Sequence, residues 1–253
     1  MVKASFQCLK AVQEFMEQKG IIKTNGWIVT GASKRGWTAL LVGATNSSEV
    51  NIVGLAPVVP LVPDLLNEIH RQYQSYNGYS WAFKDYIETG IAKDMDGPIM
   101  EVGWKIIDPI HYLERLEKIP KFLVVSSDDE FMQMDWTNIY YDKILGEKHL
   151  LIVANAEHSM LTGLKPLLSN LGTFIRSVAS GIKERPTFNY FYDEVTGQLS
   201  VSFSDAKPLS VRLRYGQTFS TERRDFRWII ESNEFDNTVC DWPYIATPKY
   251  LEV

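Results

Sequence analysis

The sequence predicts an α/β protein in which a parallel sheet alternates with helices and a small antiparallel β module follows. Short apolar runs alternate with helical patterns up to about residue 181, as expected for strands and crossover helices. The second run, residues 51–57, is apolar throughout, which is typical of a strand covered on both faces. After residue 181 the pattern changes to short segments with a two-residue period, which indicates antiparallel strands.

The first 183 residues contain the elements of the parallel sheet. Residues 4–19 are predicted to form an amphipathic helix, because apolar side chains recur every three or four positions. Further helical patterns cover residues 37–42 and about 159–181, and an insertion of about 60–118 is mostly helical and rich in aromatic residues. Four short apolar runs are the predicted strands of the sheet: 26–30, 51–57, 122–125 and 149–153.

A domain boundary is predicted near residues 183–186, where the pattern changes. Residues 1–183 then form the α/β domain, and residues 186–253 form the β module. Phe188, Tyr190 and Tyr192 recur with a two-residue period before a turn at 196–197. This alternation predicts a hairpin with one face packed on the protein and the other face in water.

Composition and charge argue against several classes of protein. The 253 residues carry a formal net charge of −5, which provides no basic surface for nucleic acid. No apolar run reaches the ~18 residues of a transmembrane helix. Cys8 and Cys240 are too few and too far apart for a disulfide framework or a zinc site. Because no His, Cys and Asp cluster has the spacing of metal ligands, no metal or cofactor is predicted.

The turn after the first predicted strand has several interpretations. Residues 31–36 read Gly-Ala-Ser-Lys-Arg-Gly. A nucleotide-binding turn is disfavoured, because its second glycine comes one position late and Thr38 replaces a third. A nucleophile elbow would project the Ser33 hydroxyl and place the Lys34 N–H in an oxyanion hole. The usual signature is G-x-S-x-G, and Arg35 stands where a small residue is normal, so an ordinary strand-to-helix turn remains an alternative.

Two later predicted strands end in the residue types that a serine nucleophile requires. Asp129 follows the third strand and His158 follows the fourth, in the chain order typical of folds with an elbow. The hypothesis is that His158 takes the proton of Ser33 while the carboxylate orients the imidazole. Asp128 is a rival acid, Glu157 adjoins the histidine and is poorly placed to orient it, and a solvated acidic loop remains an alternative.

Several motifs together resemble the PhoPQ-activated pathogenicity-related protein family, which includes autocrine proliferation repressor proteins of social amoebae. The resemblance covers most of the chain and rests on these residues: Thr30-Gly31-Ala32-Ser33-Lys34-Arg35-Gly36-Trp37-Thr38, Asp108-Pro109-x-x-Tyr112, Asp129-Glu130-Phe131 with Asp135, Asn155-Ala156-Glu157-His158 and Arg223-Arg224-Asp225-Phe226-Arg227. It implies an α/β-hydrolase fold with Ser33, Asp129 and His158 as the triad. It also implies a partial β-sandwich-like module after residue 186 and a secreted or extracellular location.

The sequence departs from the family pattern in two respects. Asp128 stands where many members have glycine, and the chain opens in the helix before the nucleophile strand. We therefore expect the first strands of the hydrolase sheet, and the loop that donates a second oxyanion N–H, to be missing. Both ends are expected to be truncated, and the sheet edge left at the nucleophile strand would weaken the chain as an isolated enzyme.

Two functions follow from these hypotheses. The first is a serine hydrolase that cleaves an ester or amide of unknown identity through an acyl-enzyme, with the aromatic insertion as a lid over the strand ends. The alternative is a secreted signalling or binding protein with a cell-surface partner, which keeps the hydrolase fold without catalysis. A third hypothesis, NAD(P) binding at the elbow, is disfavoured by the glycine spacing.

Overall fold

The computed structural model describes residues 1–21, 24–45, 49–60, 63–203, 207–218, 224–227 and 250–252. At its centre is a four-stranded sheet with the order β1-β2-β3-β4, in which every neighbouring pair is parallel. The predicted parallel sheet is therefore confirmed. Each strand lies within two residues of its predicted range: β1 Trp27–Ala32, β2 Ile52–Val58, β3 Lys121–Ser126 and β4 Lys148–Val153.

Both faces of the sheet are covered, which explains why the middle of each central strand, β2 and β3, has apolar residues on both faces. On β3, Leu123 packs into one buried cluster, whereas Phe122 and Val124 pack into a second cluster on the opposite face. Two helices before β2, α1 (Val2–Gln18) and α2 (Lys34–Ala44), contribute to the first cluster. The second cluster is closed by Leu167 and Phe174 of α8 (Leu164–Ala179).

The insertion between β2 and β3 is helical, as predicted. Its helices are α3 Leu65–Tyr76, α4 Lys84–Glu88, α5 Ile91–Asp94 and α6 Pro98–Ile107, with 3-10 helices at Trp81–Phe83 and Pro109–Leu116. The indole N–H of Trp37 donates to the Ile107 carbonyl at 2.6 Å. The buried Asp108 carboxylate accepts the N–H groups of Leu65 and Ile110 at 2.7 and 3.0 Å. These bonds fix both ends of the insertion beside α2.

The segment between β3 and β4 contains the short helix α7 (Thr137–Tyr140), flanked by 3-10 helices at Met134–Trp136 and Tyr141–Lys143. The helix after β4 begins at Leu164, five residues later than predicted. Residues 155–163 instead form a loop in which Asn155 and Met160 have φ angles of 56° and 60°, which interrupts helical geometry. No described helix combines the length and apolar character needed to cross a membrane.

The β module begins with the predicted hairpin, β5 (Phe188–Asp193) and β6 (Gln198–Phe203), which pair antiparallel. The expectation of one packed face is wrong for the described residues. Both faces are exposed, because side chains of either parity, such as Tyr190 and Phe191, are more than half accessible. Two further strands, β7 (Arg214–Gly216) and β8 (Tyr250–Glu252), also pair antiparallel. Cys240, Arg223 and most of residues 228–253 lie outside the described residues.

Candidate active site

Ser33 lies in a sharp turn between β1 and α2, and its backbone is strained. Its φ and ψ angles are 55° and −126°, a region that residues with a Cβ adopt only when the surroundings impose it. The Ser33 N–H donates to the Val58 carbonyl at 2.9 Å, which ties the turn to β2. Lys34 is the first residue of α2, so its N–H is one of those left unused by the helix. This is the geometry expected of a nucleophile elbow.

Two glycines permit the tight turn despite the unusual spacing of the motif. A Cβ on Gly36 would lie 2.9 Å from the Gly31 carbonyl oxygen and 3.1 Å from that of Val58. A Cβ on Gly31 would lie 2.6 Å from the Arg35 carbonyl oxygen. The Arg35 side chain is exposed, so it does not obstruct the turn. Close packing of α2 on the strands therefore requires glycine at the third position after the serine rather than the second.

Asp129 and His158 meet at the carboxyl ends of β3 and β4. The Nδ1 atom of His158 lies 2.9 Å from both carboxylate oxygens of Asp129. The two side chains are 11% and 1% exposed, so water screens their interaction weakly. Because the strands are parallel, the carboxyl ends of β1, β3 and β4 lie on the same side of the sheet. The pair therefore lies on the same side as Ser33. Within the described residues, Ser33 Oγ makes no hydrogen bond to His158.

The Asp129 carboxylate is held in place by its own loop. Oδ1 accepts the N–H groups of Phe131 and Met132 at 2.8 and 2.9 Å, and Oδ2 accepts the Ser126 hydroxyl at 3.2 Å. These bonds satisfy a buried acid and leave it facing the imidazole. A carboxylate in this position accepts Nδ1–H, so Nε2 of His158 is the nitrogen free to take a proton.

The two rival acids make other contacts. Asp128 Oδ1 accepts the Ser127 hydroxyl at 3.1 Å. Glu157 accepts the Leu161 N–H at 2.8 Å and the Ser159 hydroxyl at 2.5 Å, which closes the loop before α8. Burial alone would raise the pKa of Glu157, but the hydrogen bonds from the Ser159 and Thr162 hydroxyls and from the Leu161 N–H outweigh it and lower the pKa to about 2. The acid against His158 is thus Asp129.

The pKa of His158 is raised above its ordinary value. Burial by itself lowers the pKa of an imidazole, but the hydrogen bond and charge of Asp129, together with the charge of Glu130, outweigh that effect. The imidazolium that forms when a base takes a proton is therefore favoured at this position. This is the property that a general base beside a serine requires.

Glu130 contacts the candidate site in a way that sequence reasoning did not predict. Its Oε2 accepts the backbone N–H of His158 at 3.0 Å, so it fixes the main chain of the histidine as Asp129 fixes the ring. The Ser127 hydroxyl also accepts the Asn155 N–H at 2.7 Å. The loops after β3 and β4 are thereby joined. The sequence signals were adjacency to the acid and the motif Asp129-Glu130-Phe131, and neither distinguishes Glu130 from a solvated loop residue.

Aromatic side chains connect the histidine to the elbow. The Phe131 ring lies 4.6 Å from the His158 ring and 5.7 Å from Phe83, which in turn lies 5.4 Å from Tyr86. The Lys34 ammonium lies 5.3 Å from the centre of the Tyr86 ring. Phe83 and Tyr86 belong to the insertion, so this part of the predicted lid reaches the site.

A cavity of about 420 Å³ lies elsewhere, along β4 and the start of α8. Asn155, Pro166, Asn170 and Arg214 are among its lining residues, whereas Ser33, Asp129 and His158 are not. Within the described part of the chain, no three His, Cys, Asp or Glu side chains are grouped so that they could hold a metal ion. The absence of a cofactor stays a prediction.

Comparison with known proteins identifies a family and a fold. A family model described as "PhoPQ-activated pathogenicity-related protein" matches residues 1–227. Autocrine proliferation repressor protein A of Dictyostelium discoideum is 33% identical over 237 residues, which cover 90% of this chain and 47% of that protein. The chain thus spans about half the length of this curated relative.

Solved structures with a similar fold include an esterase and a peptidase. Esterase B from Lactobacillus rhamnosis aligns with a TM-score of 0.50 at 16% identity, over 71% of this chain and 61% of its own. Acylaminoacyl peptidase from Pyrococcus horikoshii also aligns with a TM-score of 0.50, at 14% identity over 69% of this chain and 27% of its own. The fold is that of the α/β-hydrolases, as predicted.

Proposed function

Because the chain belongs to the PhoPQ-activated pathogenicity-related protein family and has the α/β-hydrolase fold, we propose that it is a serine hydrolase that cleaves an ester or amide through an acyl-enzyme. The observation that supports this most strongly is the buried contact of 2.9 Å between His158 Nδ1 and Asp129, at the sheet edge where Ser33 occupies a strained turn.

In the proposed reaction, Ser33 Oγ attacks the carbonyl carbon of the substrate while His158 Nε2 takes the hydroxyl proton. The Lys34 N–H, at the positive end of α2, stabilises the negative charge that develops on the substrate oxygen. His158 then gives the proton to the leaving group, and water attacks the acyl-enzyme by the reverse sequence. Asp129 holds the imidazole in the required tautomer throughout.

The side chains around this site favour an apolar acyl group. Phe131 and Tyr86 are partly exposed and belong to the aromatic chain between His158 and the elbow. Aromatic rings bind apolar groups by excluding water from both surfaces. We therefore expect esters with a medium-length or aromatic acyl chain to react faster than acetyl esters.

Hydrolysis of p-nitrophenyl esters that differ in acyl length tests this function. We expect a burst of p-nitrophenol equal to the enzyme concentration, followed by slower turnover. Ser33→Ala should abolish both phases, and Ser169→Ala, which changes an exposed serine on α8, should preserve them. Hydrolysis that survives in Ser33→Ala, or none in a folded wild-type chain, would contradict the proposal.

The second candidate is a secreted signalling or binding protein that uses the fold without catalysis. It is favoured by the similarity to autocrine proliferation repressor protein A and by the lack of a hydrogen bond between Ser33 and His158. Its partner would lie at a cell surface. This candidate predicts that purified wild-type and Ser33→Ala proteins slow cell proliferation equally, whereas a hydrolase mechanism predicts loss of the effect in the variant.

A further inference from the structure

A segment of the C-terminal region lies against the loop that carries the proposed acid. We call residues 224–227 the strap and residues 129–136, from the acid to the end of the following 3-10 helix, the acid loop. The Arg224 guanidinium donates to Asp135 Oδ2 from NH2 at 2.6 Å and from Nε at 3.1 Å. The Gln133 side chain donates to the Arg224 carbonyl at 3.4 Å. No strap residue belongs to the proposed triad.

The strap is anchored on the end of α3. The Arg224 N–H donates to the Ser75 carbonyl at 3.0 Å. Arg227 and Asp225 form a two-point ion pair, with both N–O distances at 3.0 Å and side chains only 6% and 10% exposed. The Arg227 guanidinium lies 4.2 Å from the centre of the buried Tyr76 ring.

The acid loop is also held by the insertion. The buried Gln72 side chain donates to the Phe131 carbonyl, and the buried Ser80 hydroxyl donates to the Glu130 carbonyl. Gln72 lies on α3, the helix whose end anchors the strap. The loop is therefore bound to α3 directly and also through the strap. Because Asp129 accepts the Phe131 N–H from within this loop, the position of the loop sets the orientation of the carboxylate.

We propose that the strap is a positioning element for the proposed serine hydrolase site: it fixes the acid loop on α3 and so holds Asp129 against His158. Its effect on catalysis rests on the proposed function, whereas its effect on the loop does not. The exposed Arg224–Asp135 pair transmits this restraint and contributes little by itself. The Arg224 N–H bond to the Ser75 carbonyl and the contact of the Arg227 guanidinium with the Tyr76 ring fix where the strap lies, and Asp225 compensates the charge of the buried Arg227.

Hydrogen exchange of the Phe131 and Met132 amides tests the restraint without any substrate. We expect Arg224→Gln to accelerate their exchange by about two- to fivefold, the factor that corresponds to an exposed ion pair. Arg227→Gln should accelerate it more. The matched control is Arg185→Gln, which breaks an ion pair with Glu147 of 2.5 Å just before β4 and should leave the acid loop unchanged. If Arg227→Gln does not fold, Arg224→Gln decides the result.

A charge exchange tests the consequence for the site. Arg224→Asp and Asp135→Arg should each slow the reaction of Ser33 with a fluorophosphonate, and the double variant should recover most of the lost rate and loop protection. Unchanged exchange and unchanged labelling in Arg224→Gln and both charge variants would overturn the proposal. If the variants change the exchange of the acid loop but even the wild-type protein is not labelled, the result would support the role of the strap and contradict the hydrolase function.

Discussion

Replacing Asp129 by asparagine tests the proposed role of this acid through the tautomer of His158. Phe131 and Met132 both donate their N–H groups to Oδ1, so the amide oxygen of an asparagine is held at that position. Its NH₂ group then occupies the place of Oδ2, beside Ser126 and 2.9 Å from His158 Nδ1. An amide NH₂ donates and does not accept, so Nδ1 accepts from it, while the amide oxygen, which is also 2.9 Å from Nδ1, already accepts the Phe131 and Met132 N–H groups.

The ring hydrogen then moves to Nε2, and His158 loses the lone pair that takes the serine proton. For a triad with the wrong tautomer the expected loss is about 10⁴-fold in rate. The assay is the second-order rate of fluorophosphonate labelling at about pH 8, above the ordinary pKa of histidine. The matched control is Asp128→Asn, because Asp128 bonds to Ser127 rather than to the histidine. A loss of less than about tenfold in Asp129→Asn would refute the reasoning.

The same substitution changes stability with a defined dependence on pH. The pKa of His158 is raised in the folded protein, so its interaction with Asp129 stabilises the fold fully below the unfolded pKa of about 6.5. That stabilisation is lost as the pH rises through the raised value. Asp129→Asn should therefore lower the free energy of unfolding more at pH 5.5 than at high pH, by no more than the ~1.5–3 kcal/mol that a hydrogen bond to a charged group contributes. A loss of unfolding free energy that is the same at pH 5.5 and at high pH would contradict this account.

Three further predictions concern the elbow and the base. Ser33→Gly should be more stable than Ser33→Ala by about 1 kcal/mol in urea denaturation, because glycine relieves the positive φ of 55°. At the helical control position, Ser169→Ala should instead be more stable than Ser169→Gly. Gly36→Ala should lower the free energy of unfolding by about 1–3 kcal/mol, because its Cβ would lie 2.9 Å from the Gly31 carbonyl oxygen; an unchanged midpoint would contradict the close packing. Labelling of Ser33 should fall on acidification with a midpoint above pH 6.5, because the pKa of His158 is raised; a midpoint below that value would contradict the pairing with Asp129.

The sheet was predictable because its signals are local and consistent. Each strand is a short apolar run, and the two-sided burial of β3 explains why it lacks alternation. The positions of Ser33, Asp129 and His158 just after β1, β3 and β4 were predictable for the same reason. Parallel strands bring their carboxyl ends to one edge, so residues far apart in the sequence are placed together.

The remaining features depend on contacts between distant segments. The choice between Asp128 and Asp129 rests on which side chain faces His158, and neighbouring residues in a loop give no periodicity that decides it. The bond from the His158 N–H to Glu130 and the docking of Arg224 on Asp135 join residues 28 and 89 positions apart. The hairpin alternation predicted a packed face, but alternation reports only the side-chain period and does not supply a surface to pack against.

Covalent labelling of Ser33 tests the central claim most directly. The purified, folded chain is treated with a fluorophosphonate and digested, and the modified peptide is identified by mass spectrometry. The account predicts one adduct, on Ser33, which is lost in Ser33→Ala, preserved in Ser169→Ala and strongly slowed in Asp129→Asn. A folded protein that forms no adduct, or one whose adduct persists in Ser33→Ala, would contradict the account.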